Sequence, residues 1–167
     1  MPHCEIYLVR HAIAAERGGE WPDDTKRPLT MRGTDRFKEC VAGLASLDME
    51  VDEIFSSPLV RAKQTASLLT AGLPGKPPVK LLEALAPGHA AAATMHELAK
   101  AAKRRRVALV GHEPGLGELA AHLLGSSRAL PFKKGGACCI HIQSFTSRRA
   151  GELQWFATPK ILRGLGA

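Results

Sequence analysis

Apolar and polar positions along this chain change their period several times. Ile6-Tyr7-Leu8-Val9, Ile54-Phe55 and Val107-Ala108-Leu109-Val110 are apolar β-type runs, each ending at a loop or a helix start. Between them the spacing turns helical. Phe37, Cys40, Val41, Leu44 and Leu47 recur on one face after a polar stretch that closes at Thr30, predicting an amphipathic first helix. Ser57 as N-cap and Pro58 at the first helical position predict a second, with Leu59, Ala62, Ala66 and Leu69 on its buried face. Residues 72–78 are rich in glycine and proline and break that helix, and 79–82 read as a short strand. An alanine-rich stretch over 90–102 predicts a third helix and 114–124 a fourth. Two strands, 139–143 and 152–156, close the pattern around a polar turn. Strand and helix signals that alternate in this way predict a layered α/β domain.

Composition changes that picture little. At 167 residues and 45% hydrophobic, the chain can bury one substantial core, and no linker divides it, so one domain over 1–167 is expected. No apolar stretch approaches the ~20 residues of a membrane span. Met1-Pro2-His3-Cys4-Glu5 leads into a strand without the features of a signal peptide, so a cytoplasmic location and no membrane partner are expected. Cys4, Cys40 and the adjacent Cys138 and Cys139 show neither a disulfide framework nor C-x-x-C metal spacing. Cys138 and Cys139 should point to opposite faces of a strand, one in the core and one at the surface. A net charge of +7 and the run Lys103-Arg104-Arg105-Arg106 raise nucleic acid as a partner. With aromatics at 5% there is no stacking platform, so no nucleic-acid role is expected. The basic run is expected to cap the third helix, and a phosphorylated or polyanionic substrate accounts for the charge.

The candidate chemistry sits where strands end. Val9-Arg10-His11 and Val110-Gly111-His112 each close an apolar run, and Ser57-Pro58-Leu59-Val60-Arg61 lies between them. Open α/β sheets place ligands at the carboxyl ends of their strands. Arginine presents a fixed fork of donors suited to phosphate, and a histidine among arginines is discouraged from protonating. Arg10, Arg61, His11 and His112 therefore read as a phosphoryl-transfer site, in which the arginines and one histidine hold oxygens while the other attacks. Chemistry alone does not say which histidine is the nucleophile. His3, His89, His96, His122 and His141 have no metal-ligand partner at i+3 or i+4, and no metal or cofactor is expected. The loop 14–28, with Glu16, Trp21, Asp23 and Asp24, adjoins His11 and is a candidate for substrate contacts.

Four ordered segments then carry a resemblance: Leu8-Val9-Arg10-His11, Leu29-Thr30-Met31-Arg32-Gly33, Ser56 to Ala66, and Val110-Gly111-His112-Glu113-Pro114. They resemble the signature segments of the histidine phosphatase superfamily, the phosphoglycerate-mutase-like group, and in particular its short SixA-type branch. Ala12 stands where that family usually has glycine after the Arg-His pair. The resemblance implies an α/β three-layer sandwich, a mostly parallel central sheet with helices on both faces. It implies that His11 is the phosphorylated nucleophile, with His112, Arg10 and Arg61 binding the phosphoryl group. Glu83 falls roughly where mutase-like members carry a general acid, and is the candidate for that role. Larger members insert a helical lid between the segments matching Arg61 and His112. Only about fifty residues separate them here, implying a lidless, open and shallow site. The implied function is hydrolysis of phosphohistidine on a partner protein, a phosphotransfer or phosphocarrier protein, by a monomeric enzyme. The alternatives are a phosphatase of small organic phosphates or of phosphoserine and phosphothreonine, and a non-catalytic phosphate-binding module.

Overall fold

The computed structural model describes residues 3–167. In chain order the elements are β1 (Cys4–Arg10), α1 (Met31–Ser46), β2 (Glu53–Ser56), α2 (Val60–Gly72), β3 (Val79–Leu81), α3 (Ala91–Ala101), β4 (Arg106–Gly111), α4 (Gly115–Leu124), β5 (Ala137–Ile142), β6 (Glu152–Ala157) and α5 (Pro159–Leu165). Single 3-10 turns cover Asp24–Lys26 and Glu83–Leu85. One six-stranded sheet runs in the order β3-β2-β4-β1-β5-β6. Its β3, β2, β4 and β1 pair in parallel, whereas β5 runs antiparallel to both β1 and β6.

Alternation along the central strands divides the core into two layers. Tyr7 and Val9, with Ile54, Ala108 and Val110, pack under α1, α2 and α5, which supply Phe37, Leu44, Leu69 and Leu162. Ile6 and Leu8, with Phe55, Val107 and Leu109, face α3 and α4, which supply Leu98, Leu116 and Leu119. The result is the expected three-layer α/β sandwich. Burying both faces of β1, β2 and β4 is why those runs are continuously apolar.

The first helix begins as its sequence predicts, because Thr30 caps it through a bond from the Gly33 amide. Gly33 is obligatory for packing: a Cβ there would lie 2.1 Å from the carbonyl oxygen of Ile13. This contact seats the start of α1 on the loop that follows His11. Elsewhere the structure corrects the sequence reading. The second helix starts at Val60 with Leu59 at its N-cap position, so Ser57 is not its N-cap residue. Cys138 and Cys139 do face opposite sides of β5, yet both are core residues because helices cover both faces there. The basic run does not cap α3, which ends at Ala101. The Lys103 and Arg104 amides instead donate to the buried carboxylate of Glu53, and Arg106 pairs with Asp52 and Glu50. The closing helix α5 had no sequence assignment, although Thr158 before Pro159 is an N-terminal signal. Among the described residues no helix is long and apolar enough to cross a membrane.

Candidate active site

The parallel pairing aligns the carboxyl ends of β1, β2 and β4, with Arg10 opposite Gly111 and Ser56 opposite Val110. His11 follows β1 and is 4% exposed. Its amide donates to the Gly111 carbonyl and its own carbonyl accepts from Gly135, so the backbone is pinned on both sides. The ring Nδ1 lies 2.7 Å from the Ala12 carbonyl oxygen. A carbonyl only accepts, so Nδ1 carries the proton and Nε2 the lone pair. Burial pushes the His11 pKa down to about 3, with His112, Arg61 and Arg10 acting in the same direction. His112 follows β4 at 6% exposure, and burial, then Arg61, holds its pKa down at about 4. The two rings stand 5.1 Å apart between centroids, tilted by 52°. Neutrality was expected from the arginines, but loss of water is the larger cause at both histidines.

Each arginine is held by its outer nitrogens. Arg10 Nη1 donates to the Phe132 carbonyl at 2.8 Å. Arg61, in the first turn of α2 and 2% exposed, donates from Nη1 to the Asp24 carbonyl at 2.8 Å and from Nη2 to the Asp24 carboxylate at 3.0 Å. Asp24 also pairs with Arg27 at 3.0 Å, and Arg27 in turn donates to the Ala15 carbonyl. The His112 Nε2 lies 2.8 Å from the Ser57 hydroxyl, which already accepts from the Leu59 amide. With the hydroxyl donating to Nε2, the ring proton of His112 is on Nδ1.

Three nitrogens remain. Arg10 Nε, Arg61 Nε and His112 Nδ1 are buried and have no hydrogen-bond partner, and no other buried side-chain nitrogen or oxygen among the described residues shares that condition. A buried donor without a partner costs about 1–3 kcal/mol, so three at one sheet end call for a reason. All three carry N–H groups and belong to the residues that bracket His11. A phosphoryl group, with three equatorial oxygens, offers acceptors of the kind these donors lack.

The supporting residues were less visible in sequence. Thr65 is fully buried, accepts from the Ala12 amide at 3.0 Å and donates to the Arg61 carbonyl at 2.8 Å, joining the two halves of the site. Ala12 has ordinary backbone, since Asp48 and Lys76 are the only described non-glycine residues with positive φ. A methyl group is therefore accommodated there. Both oxygens of Glu113 accept backbone N–H groups, from Gly117 and Phe132, and so fix the carbonyl that holds Arg10. Lys134 stands near Arg10, Arg27 and Arg61, and partial burial, then those cations, lowers its pKa. Arg27, Thr65 and Lys134 had no assigned role. Arg27 and Thr65 lay beside or within the quoted segments, whereas no sequence signal pointed to Lys134.

Of the loop candidates, Asp24 meets Arg61, Asp23 caps its own 3-10 turn, and Glu16 is exposed. Glu83 is also exposed, on a 3-10 turn. It is not among the residues lining the cleft beside His112, a space of about 410 Å³ between Ala84–Ala90 and Gly111–Leu119. No inserted subdomain separates Arg61 from His112, as expected. The histidines nevertheless lie beneath the surface, so the site is not shallow.

Residues 6–87 match the family model described as the histidine phosphatase superfamily, branch 1. An uncharacterised protein of Picosynechococcus sp. is 40% identical over 167 residues, covering 95% of this chain and 98% of its own. The structure of the protein histidine phosphatase SixA complexed with tungstate superposes with a TM-score of 0.82 at 23% identity, covering 95% of this chain and 99% of that one. A phosphoserine phosphatase of Entamoeba histolytica, in complex with phosphoserine, gives 0.67 at 17% identity, covering 95% and 98%.

Proposed function

The chain belongs to the histidine phosphatase superfamily, and we propose that it hydrolyses phosphohistidine on a partner protein through a covalent phosphohistidine on His11. The observation that carries this reading is the set of three unpartnered donors, Arg10 Nε, Arg61 Nε and His112 Nδ1, around a neutral His11 whose tautomer is fixed. The Nε2 lone pair of His11 attacks phosphorus, forming a P–N bond as the P–N bond of the substrate breaks. With its other ring nitrogen already protonated, the departing imidazole takes the electron pair of the broken P–N bond and leaves neutral, so no proton has to be supplied. Because one P–N bond replaces another, this step is close to balanced. Water then attacks the same phosphorus, the His11 P–N bond breaks with its electron pair returning to Nε2, and both water protons leave on the inorganic phosphate. In both steps the three donors hold the non-bridging oxygens, so the chemistry rests on electrostatic stabilisation and needs no metal.

Two features support a protein-borne phosphohistidine. Glu83 is exposed and outside the cleft, which suits a leaving group with little need of an acid. A neighbouring groove beside Ala12 and Ile13 is lined by Arg36, Lys133, Lys134, Lys160 and Arg163, a basic rim for an acidic protein surface. A second reading, hydrolysis of small phosphate esters, is favoured by the cleft beside His112, whose size is within the range that holds small ligands.

Kinetics on a phosphohistidine protein, an aryl phosphate and an alkyl phosphate, with wild type and Glu83→Gln, separate the two. The expected result is poor turnover of the alkyl phosphate and at most a few-fold effect of Glu83→Gln on the phosphohistidine protein. A positioned general acid contributes roughly 100- to 10,000-fold. Efficient alkyl phosphate turnover that falls more than about a hundredfold in Glu83→Gln would select the small-ester reading. Absence of turnover on all three substrates would leave a non-catalytic phosphate-binding module.

A further inference from the structure

The opposite end of β1 carries a cluster that phosphoryl transfer does not use. His3 immediately precedes the strand, Glu5 is its second residue, and His141 on β5 is the cross-strand partner of Glu5. Side chains two apart on extended backbone share a face, and so do register partners. The three therefore converge. His3 Nε2 is 3.6 Å and His141 Nε2 3.5 Å from the same oxygen, Glu5 Oε1, and the imidazole rings stack with centroids 4.4 Å apart. One ligand atom from each lies within 4.8 Å of the other two, the only such group of three or more among the described residues.

These separations exceed the roughly 2.7–3.2 Å of an N–H···O hydrogen bond. They match instead the ligand spacing around a four-coordinate zinc ion, where bonds of about 2.1 Å hold the donor atoms ~3.4 Å apart. We propose that His3, Glu5 and His141 form a binding site for one divalent transition-metal ion of the zinc type. Two imidazole nitrogens and one carboxylate oxygen suit such an ion, whereas magnesium and calcium take oxygen ligands. Arg106, the register partner of Glu5 on β4, is already engaged by Asp52 and Glu50 and so does not compete for Glu5. The side chains of His3 and His141 are 47% and 31% exposed, so the ion has access from solvent and water can complete its shell. Bound there, the ion ties the segment ahead of β1 to β5. Because the cluster and His11 sit at opposite ends of β1, its effect falls on stability and not on turnover.

Calorimetric titration of chelator-treated, tag-free full-length protein with Zn²⁺ tests this. Saturable uptake of one zinc per chain is expected, with a rise in Tm and no response to Mg²⁺. Glu5→Gln, His141→Gln and His3→Gln should each weaken zinc binding by about tenfold or more while leaving the metal-free Tm near that of wild type. A His96→Gln, His122→Gln double variant should bind as wild type does. His11→Gln should also keep full stoichiometry, which distinguishes this cluster from the imidazole pair of the catalytic cleft. No saturable binding in the micromolar range would overturn the proposal. So would binding that survives all three cluster replacements, or binding lost in His11→Gln.

Discussion

Ser57 shows how a single hydroxyl can decide the polarity of a site. It accepts from the Leu59 amide and faces His112 Nε2, and when it donates there the ring proton of His112 is on Nδ1, the nitrogen proposed to meet the phosphoryl group. Ser57→Ala should lower kcat about 10- to 100-fold with KM little changed, short of the ~100- to 1,000-fold loss expected when the donor itself goes in His112→Ala. Ser57→Thr should restore most of the rate, and the ring nitrogen shifts of His112 would report the tautomer directly. His11→Ala should abolish both turnover and the acid-labile, base-stable label left by substrate phosphate; a label that mapped to His112 would reverse the assignment of nucleophile. The positions of Arg10, His11 and His112 at strand ends were legible because apolar runs announce where strands stop, and that of Arg61 because a helix signal follows the second run. Ser57's bond to a histidine 55 residues away was not, since its sequence context read as a helix cap. The same limit hid His3 and His141, which meet Glu5 at a two-residue strand spacing and across a strand pair, not at a helical spacing.

At the scale of elements, helix periodicity was the reliable signal and helix ends the weak one. The apolar face of α1 was readable from Phe37 to Leu44 because α1 packs one stripe on the sheet. The start of α2 was displaced because Ser57 and Pro58 form the turn that delivers Ser57 to His112. The 3-10 turn at Asp24–Lys26 had no periodic signature, yet it carries the carboxylate and carbonyl that grip Arg61. Close contact between α1 and the loop after His11 is testable at Gly33. Gly33→Ala forces the Ile13 carbonyl away, and should destabilise the fold by about 1–3 kcal/mol in urea denaturation. Because Ile13 is two residues from the proposed nucleophile, kcat should fall as well. A loss of stability with unchanged kcat would mean that the loop absorbs the displacement before it reaches His11.

Across the whole molecule, burying two neutral histidines links folding to pH. Their pKa values are pushed down to about 3 and 4 in the fold, while the unfolded chain titrates near the ordinary value of about 6.5. Below that value the unfolded state binds more protons than the native state, so stability falls as pH drops from about 6.5 toward 4. Above it both states are neutral and the two groups contribute no slope. Thermal melts of wild type over this window should decline more steeply than those of a His11→Gln, His112→Gln double variant. Parallel slopes would show that the histidines are not held neutral by the fold. The sheet has a further consequence at this scale, in how molecules meet at high concentration. Its β3 edge is three exposed residues long, follows Pro77-Pro78, and centres on Lys80, whose ammonium is tied to Glu53. A short edge with a charge and adjoining prolines is a poor template for a strand from another molecule. Lys80→Val would join Val79, Leu81 and Leu82 into an uninterrupted apolar run, and turbidity on mild heating should then appear sooner than in wild type.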